Sequence, residues 1–141
     1  MTLDSNVLSA LREINLQAAF NRWGGFEVLE AEPGRVALGL SWREEFGQYS
    51  GFLHAGMVAA LIDTACGFAA VTSVRTRVLA AHFSVNCIRP AVGERFVARA
   101  RVVKAGKSQV FTACELSAQS DGNEKLVATG EAILSVPVKQ T

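Results

Sequence analysis

The stretch Gly51-Phe52-Leu53-His54-Ala55-Gly56-Met57-Val58-Ala59-Ala60-Leu61-Ile62-Asp63-Thr64-Ala65-Cys66-Gly67 decides the fold of this chain. It reads as a His-Ala-Gly turn that leads into a long apolar helix with one carboxylate in its middle. On a helical period, one face carries Asp63 with small neighbours, namely Gly56, Ala59, Ala60, Cys66, Gly67 and Ala70. The opposite face is bulky, with Val58, Leu61, Ile62, Ala65 and Phe68. We expect the bulky face to pack into the core and the small face to leave Asp63 accessible.

The carboxylate of Asp63 is costly in such a helix. Burial without a partner disfavours the charged form and raises the pKa of a carboxyl group. A chain keeps such a group most readily where the acid takes part in chemistry. The alternative is a buried carboxylate that is satisfied by backbone groups, and the helix alone does not decide between the two.

Composition places the chain among single-domain proteins, and we predict one domain over residues 1–141. Half of the 141 residues are hydrophobic and the formal net charge is +1. Lys and Arg are scattered, so no nucleic-acid binding is expected. Cys66, Cys87 and Cys114 show no metal-binding or disulfide spacing, which predicts buried thiols and no metal site. The N-terminal residues lack the pattern of a signal peptide, so we expect a cytoplasmic protein.

A membrane-spanning segment is the rival interpretation of residues 51–74. The stretch is long enough to cross a bilayer, which needs about 20 apolar residues. Asp63 would then lie near the bilayer centre, where a charge is expensive. Much of the stretch is Gly and Ala, and no basic residues flank its entry. We therefore predict no membrane insertion.

Hydrophobic periodicity along the rest of the chain predicts an α+β layer. Helical spacing follows Ser5, the predicted N-cap, to about Asn21, and Trp23-Gly24-Gly25 ends it. Beyond the central helix the period changes from 3.6 to 2. The predicted strands are 26–32, 35–42, 78–88, 95–104, 108–119 and 125–136. We expect the last four to follow one another as an antiparallel meander wrapped on the central helix.

Four motifs in this order carry a family resemblance. They are His54-Ala55-Gly56 with Asp63, Asn86-Cys87-Ile88-Arg89-Pro90-Ala91, Val103-Lys104-Ala105-Gly106-Lys107 and Leu126-Val127-Ala128-Thr129-Gly130. Over roughly residues 20–137 the chain resembles the hotdog-fold PaaI-like acyl-CoA thioesterases, which are related to 4-hydroxybenzoyl-CoA and phenylacetyl-CoA thioesterases. The resemblance implies a long central helix wrapped by an antiparallel sheet, after an N-terminal helix.

The resemblance assigns catalytic roles around the central helix. It makes Asp63 the nucleophile or general base, and it places Ala55 where relatives have a glycine whose N–H polarises the thioester carbonyl. The N–H groups of Ala55 and Gly56 would form an oxyanion hole, since the first N–H groups of a helix are unpaired and carry partial positive charge. Gln48 matches a loop amide that orients the carbonyl or the water. His54 is a further catalytic candidate, or else it caps the helix or bridges a subunit contact.

The resemblance also implies coenzyme A contacts at Arg89, Lys104 and Lys107, with Gly106 in the turn between the two lysines. Cations at these positions would bind phosphates through charge-assisted hydrogen bonds, although surface charges without a ligand are the alternative. Gly67, predicted on the substrate side, stands where some relatives hold the attacking water with a hydroxyl. Thr64 lies about 100° round the helix and does not simply replace that hydroxyl.

We therefore predict hydrolysis of an acyl-CoA to a carboxylic acid and coenzyme A, without a cofactor because coenzyme A is part of the substrate. A non-catalytic acyl-CoA-binding hotdog module is the alternative, and a hotdog dehydratase is a third. An unpaired sheet edge should drive a homodimer with a continuous sheet and shared active sites, and two such dimers should pair again into a tetramer.

Overall fold

The computed structural model describes residues 3–137, and it consists of a long helix wrapped by a six-stranded antiparallel sheet. The ends of the predicted domain, residues 1–2 and 138–141, lie outside the described part. The elements are α1 (Leu3–Gln17), α2 (Ala19–Gly24), β1 (Glu27–Glu32), β2 (Arg35–Ser41), a short 3-10 helix (Glu44–Phe46), α3 (Ala55–Val74), β3 (Leu79–Cys87), β4 (Arg95–Ala105), β5 (Gln109–Ser120) and β6 (Asn123–Ser135). The predicted α+β architecture is confirmed.

Helix α3 is the centre of the core. Its sheet-facing side chains are inaccessible to solvent, and they are Leu61, Ile62, Ala65, Cys66, Ala69 and Ala70. Cys66 and Ala70 were predicted on the open face with Asp63, which is wrong because the sheet and α1 together cover more than half of the helix. Ala55–Val74 is long and apolar enough to cross a membrane by length and composition, but more than half of its most apolar window is buried inside the fold.

The predicted meander holds for β4, β5 and β6 but not for β3. The sheet order is β1-β2-β4-β5-β6-β3, so β3 pairs with β6 at one edge. The reason is the connection at residues 88–94, which crosses the sheet end below the start of α3 instead of turning tightly. There the Leu53 N–H donates to the Ala91 carbonyl at 2.9 Å, and the Ile88 N–H donates to the Val127 carbonyl at 2.9 Å.

The two edges of the sheet are protected to different degrees. Helix α1 packs on β1, where Arg12 Nε donates to the Val28 carbonyl at 3.2 Å and a register shift interrupts the strand. Strand β3 has no fully buried residue, and Leu79 and Phe83 are 64% and 45% exposed. Since an exposed strand edge invites pairing with another chain, β3 is the edge that is more open to such pairing.

The N-terminal helix is broken in two. The chain is extended at Ala18, between α1 and α2, where the sequence predicted one continuous helix. A buried amide network explains the break, because Asn15 Nδ2 donates to the Phe26 carbonyl at 2.8 Å and Asn21 Nδ2 donates to Asn15 Oδ1 at 3.1 Å. The helix also begins before Ser5, which is therefore not its N-cap. The predicted end is confirmed, since Gly25 caps α2 in a left-handed conformation.

Gly130 on β6 allows α3 and β3 to approach each other closely. A Cβ at this position would lie 2.7 Å from Ile62 Cγ2 and 2.8 Å from the Ser84 carbonyl oxygen. We predict that Gly130→Ala lowers the free energy of unfolding by about 1–3 kcal/mol, because a backbone oxygen cannot move aside as a flexible side chain does. Urea denaturation measures this. Gly67→Ala is the matched control, since a Cβ there meets nothing within 4 Å. Equal stability of Gly130→Ala and the parent protein would contradict the prediction.

Candidate active site

The structure distributes the predicted catalytic residues over two cavities. A cavity of about 720 Å³ is lined by Asp63, Thr64 and Gly67. A second cavity of about 620 Å³ contains Gln48, His54 and Ala55 together with Arg89. We call them the acid cavity and the helix-start cavity. Along α3, the eight residues from Ala55 to Asp63 correspond to about 12 Å. A single protomer therefore does not bring its carboxylate to its own predicted oxyanion hole.

The acid cavity is mainly apolar. Its walls come from α1, α3 and the start of β3, and they include Val7, Leu11, Ile14, Phe68, Val71 and Leu79. Burial raises the pKa of the Asp63 carboxyl above its ordinary value of 3.8, and no hydrogen bond from residues 3–137 counters this rise. The sequence left open that Asp63 is a buried carboxylate satisfied by backbone groups. Residues 3–137 provide no such backbone partner. The α1 wall was missed at the sequence level, because long-range helix contacts leave no local pattern.

The start of α3 offers one free N–H group. His54 is the N-cap, and its Nδ1 accepts a hydrogen bond from the Gly56 N–H at 2.8 Å. The N–H groups of Met57 and Val58 both donate to the His54 carbonyl. No hydrogen bond among residues 3–137 uses the Ala55 N–H. Of the two predicted oxyanion donors, Gly56 is thus occupied by the cap and Ala55 is available.

A short hairpin holds Gln48 beside this helix start. Gly47 and Leu53 form an isolated β-bridge, and the Gln48 N–H donates to the Phe52 carbonyl at 2.8 Å. The Gln48 Oε1 atom accepts a hydrogen bond from the Ser50 N–H. The Gln48 side chain therefore lines the helix-start cavity, but its oxygen is already hydrogen-bonded within the loop. Its Nε2 remains as the donor that this geometry can offer to a ligand.

An arginine fixes the loop before Gln48, and the sequence did not reveal it. The Arg43 guanidinium lies 4.3 Å from the Phe46 ring centroid and 5.2 Å from the Trp23 centroid. Such cation–π contacts stabilise partly desolvated positions. Phe46, which is 2% exposed, accepts the His54 N–H through its carbonyl at 2.8 Å. The aromatic cluster thereby links α2 to the residues that begin α3.

The predicted coenzyme A contacts lie at opposite ends of the sheet. Arg89 lies just after β3 and donates from Nη1 to the Leu126 carbonyl at 2.7 Å. Lys104, Gly106 and Lys107 lie at the β4–β5 turn, which neighbours the start of β3 because Leu79 and Gln109 both pair with Ser135. One protomer therefore does not gather these cations around one site.

The cysteines do not form a metal site. Cys66 and Cys114 are buried free thiols, as predicted, whereas Cys87 is exposed because β3 lies at the uncovered edge. Hydrogen bonding from Cys114 lowers the pKa of the Cys66 thiol. Among residues 3–137 no group of three or more His, Cys, Asp or Glu side chains could hold a metal ion.

Comparison with known proteins identifies the family. The family model described as the thioesterase superfamily matches residues 50–125, a range that contains both Ala55 and Asp63. The chain belongs to the thioesterase superfamily. Acyl-coenzyme A thioesterase 13 from Homo sapiens is 31% identical over 109 residues, which cover 76% of each chain. This member of the superfamily thus shares most of its length with a curated relative.

Solved structures agree with this assignment. A thioesterase family protein from Silicibacter pomeroyi is 35% identical and superimposes with a TM-score of 0.87 over 92% of this chain and 96% of that one. The PaaI protein of E. coli is 18% identical, with a TM-score of 0.85 over 95% of each chain, and shows the shared fold alone. The predicted family, the hotdog fold and the enzyme class of thioester hydrolase are confirmed.

The raised pKa of Asp63 predicts how this superfamily member responds to pH. Between 3.8 and the raised value the native state binds more protons than the unfolded chain, so Asp63 lowers stability as pH rises through this interval. We expect the nearly isosteric Asp63→Asn to raise the melting temperature at neutral pH. This advantage should shrink as the pH falls from the raised value to 3.8 and should be lost below 3.8, where Asp63 is protonated in both states. Melting curves at several pH values measure the difference, and a less stable variant at neutral pH would contradict the prediction.

The cap at His54 gives a test that separates structure from catalysis. We predict that His54→Ala lowers the free energy of unfolding by about 1 kcal/mol, because the Gly56 N–H loses its acceptor. His54→Asn is the matched control, since Asn is a favoured N-cap and restores the acceptor. Chemical denaturation measures both variants. If capping is the role of His54, the Asn variant also retains its turnover, and an inactive but stable His54→Asn would show a chemical role instead.

Proposed function

We propose that this protein hydrolyses acyl-CoA thioesters to carboxylic acids and coenzyme A, at a site shared between two protomers. The family and the named activity of the human relative support the reaction class. The proposal of a shared site rests on one observation. Asp63 and Ala55, which has the free N–H, line different cavities of the same protomer. Both are needed for thioester hydrolysis, so a second copy has to supply one of them.

The chemistry follows from the two groups. Asp63 attacks the thioester carbonyl or removes a proton from the attacking water, and its raised pKa makes it a stronger base than an exposed aspartate. Negative charge then develops on the carbonyl oxygen. The Ala55 N–H of the second copy, at the positive end of α3, stabilises that charge. The carbon–sulfur bond breaks and coenzyme A leaves as its thiolate, which takes up the proton that the attacking water loses. Where Asp63 itself attacks, water then hydrolyses the acyl–Asp63 anhydride and releases the carboxylic acid. No cofactor enters these steps.

Strand β3 supports the way in which the two copies meet. It is the exposed edge of the sheet, and Phe83 lies at its middle on the helix side, where α3 leaves it 45% exposed. Antiparallel pairing of β3 with the same strand of a second copy gives one continuous sheet and covers this apolar face. A two-fold interface of this kind is self-complementary, so it forms two equal sites. A further pairing of dimers into a tetramer is part of the proposal.

The same two-fold arrangement reunites the predicted coenzyme A contacts. The nine residues of β3 separate Arg89 from the Lys104–Lys107 turn by about 26 Å within one protomer. Antiparallel pairing reverses the strand direction, so the Arg89 end of one copy lies towards the Lys107 end of the other. Cations from both copies can then hold the phosphates of one coenzyme A.

Removing either reacting group should abolish turnover without unfolding the protein. We predict that Asp63→Asn and Ala55→Pro each lower kcat by at least about a hundredfold. Ala55 is the first residue of α3, a position that tolerates proline, and His54 has the extended ψ of 136° that a following proline requires. Ala55→Ser is the control, because it keeps the N–H. Thiol release from acyl-CoA measures the rates. If the folded Ala55→Pro protein is fully active, the proposed oxyanion hole is wrong.

Mixing the two inactive variants tests whether the site is shared. A dimer of one Asp63→Asn and one Ala55→Pro subunit combines the intact Asp63 of one with the intact Ala55 of the other. Random exchange of subunits should therefore restore about one quarter of the parent activity if each site spans the two-fold interface. A site contained in one protomer would stay inactive in every combination. Acyl-CoA binding without turnover by the parent protein would favour the non-catalytic binding module.

A further inference from the structure

Gly67 lies in the interior of α3, and no contact within its own protomer explains why this position is a glycine. Glycine is unfavourable inside a helix, so it persists there where something approaches closely. At Gly130 that cause is visible, because a Cβ would clash with Ile62 and with β3. At Gly67 a Cβ would meet nothing within 4 Å. The space beside Gly67 is therefore open, and the glycine keeps it open.

This space belongs to the acid cavity. Gly67 lies one helical turn after Asp63, and both residues line the cavity of about 720 Å³. Beyond Gly67 the cavity has apolar walls at Val71 on the same helix and at Leu11 and Ile14 on α1. The lining also includes polar side chains, namely Gln17, Thr72, Arg75, Thr76 and Arg77. The volume is within the usual range of small-molecule sites, and mostly apolar walls with a few polar groups are their common design. From Asp63 to Thr72, the last α3 residue of the lining, the helix rises by about 14 Å.

We propose that Gly67 is the gate of an acyl channel, which starts at Asp63 and runs between α1 and α3. This inference rests on the proposed function and names its substrate class, thioesters of extended apolar acyl chains. The carbonyl carbon lies at Asp63, the chain passes Gly67, and its remote methylenes contact α1. A side chain at position 67 would fill the channel next to the reacting centre, so Gly67 determines specificity for chain length.

Chain-length profiles of Gly67 variants test the channel. We expect the parent protein to have a higher kcat/KM with dodecanoyl-CoA than with acetyl-CoA, because the long chain fills the apolar cavity. Gly67→Val should lower kcat/KM for dodecanoyl-CoA about tenfold or more, which corresponds to 1.4 kcal/mol, and change it for acetyl-CoA by less than about twofold. Gly67→Ala should shift the profile in the same direction by less.

Ser73→Val is the matched control, because Ser73 lies on the same helix outside the lining of the acid cavity. It should leave the ratio of the two substrates unchanged. Equal losses on both substrates with Gly67→Ala and Gly67→Val would overturn the channel. So would dissociation of the oligomer by Gly67→Val in light scattering, since Gly67 would then make room for a partner helix. A parent protein that hydrolyses no acyl-CoA would instead refute the proposed function itself.

Discussion

Packing of α3 against the sheet is the interaction on which the rest of the structure depends. Leu61, Ile62 and Ala65 are completely buried by it. That burial fixes the rotation of the helix, because turning it would expose these side chains to water at about 25 cal/mol for each Å². With the rotation fixed, the residues on the other side point away from the sheet. Asp63 and Gly67 therefore face a cavity as a direct consequence of how the opposite face is packed.

The same helix separates the two parts of the proposed active site. Its positive end and its carboxylate lie about 12 Å apart on one rigid element, so no loop movement within a protomer can join them. In the proposed dimer a second copy joins them, because the two-fold axis sets the start of one helix beside the middle of the other. The unpaired edge at β3 and the divided site are thus two results of one arrangement. In the proposed dimer, the contact that closes this edge also completes the site.

The sequence predicted the elements that local patterns encode. The helix of residues 55–74 and the later strands follow from periodicity. Between β5 and β6, Asp121 and Gly122 both have positive φ, as the turn residues Asp and Gly commonly do. The sequence did not predict that β3 pairs with β6, because the crossing connection at residues 88–94 has no local signature. The break at Ala18 depends on a contact between Asn15 and the Phe26 carbonyl, and no local spacing reveals it. For the candidate site, the roles of the residues stay predictions, and their division between two cavities had no local signature in the sequence.

In the proposed mechanism, a half-buried Asp63 is a compromise between stability and reactivity. A fully exposed carboxylate would be stable but weakly basic, and a fully buried one would stay protonated near neutral pH. The acid cavity has apolar walls from Phe68 and Leu11 but remains open beside Gly67, so it raises the pKa of Asp63 without enclosing the group. An acyl chain that enters past Gly67 would displace water and desolvate the carboxylate further. Substrate binding itself would then increase the basicity of Asp63, and short chains that leave the cavity wet would gain less from it.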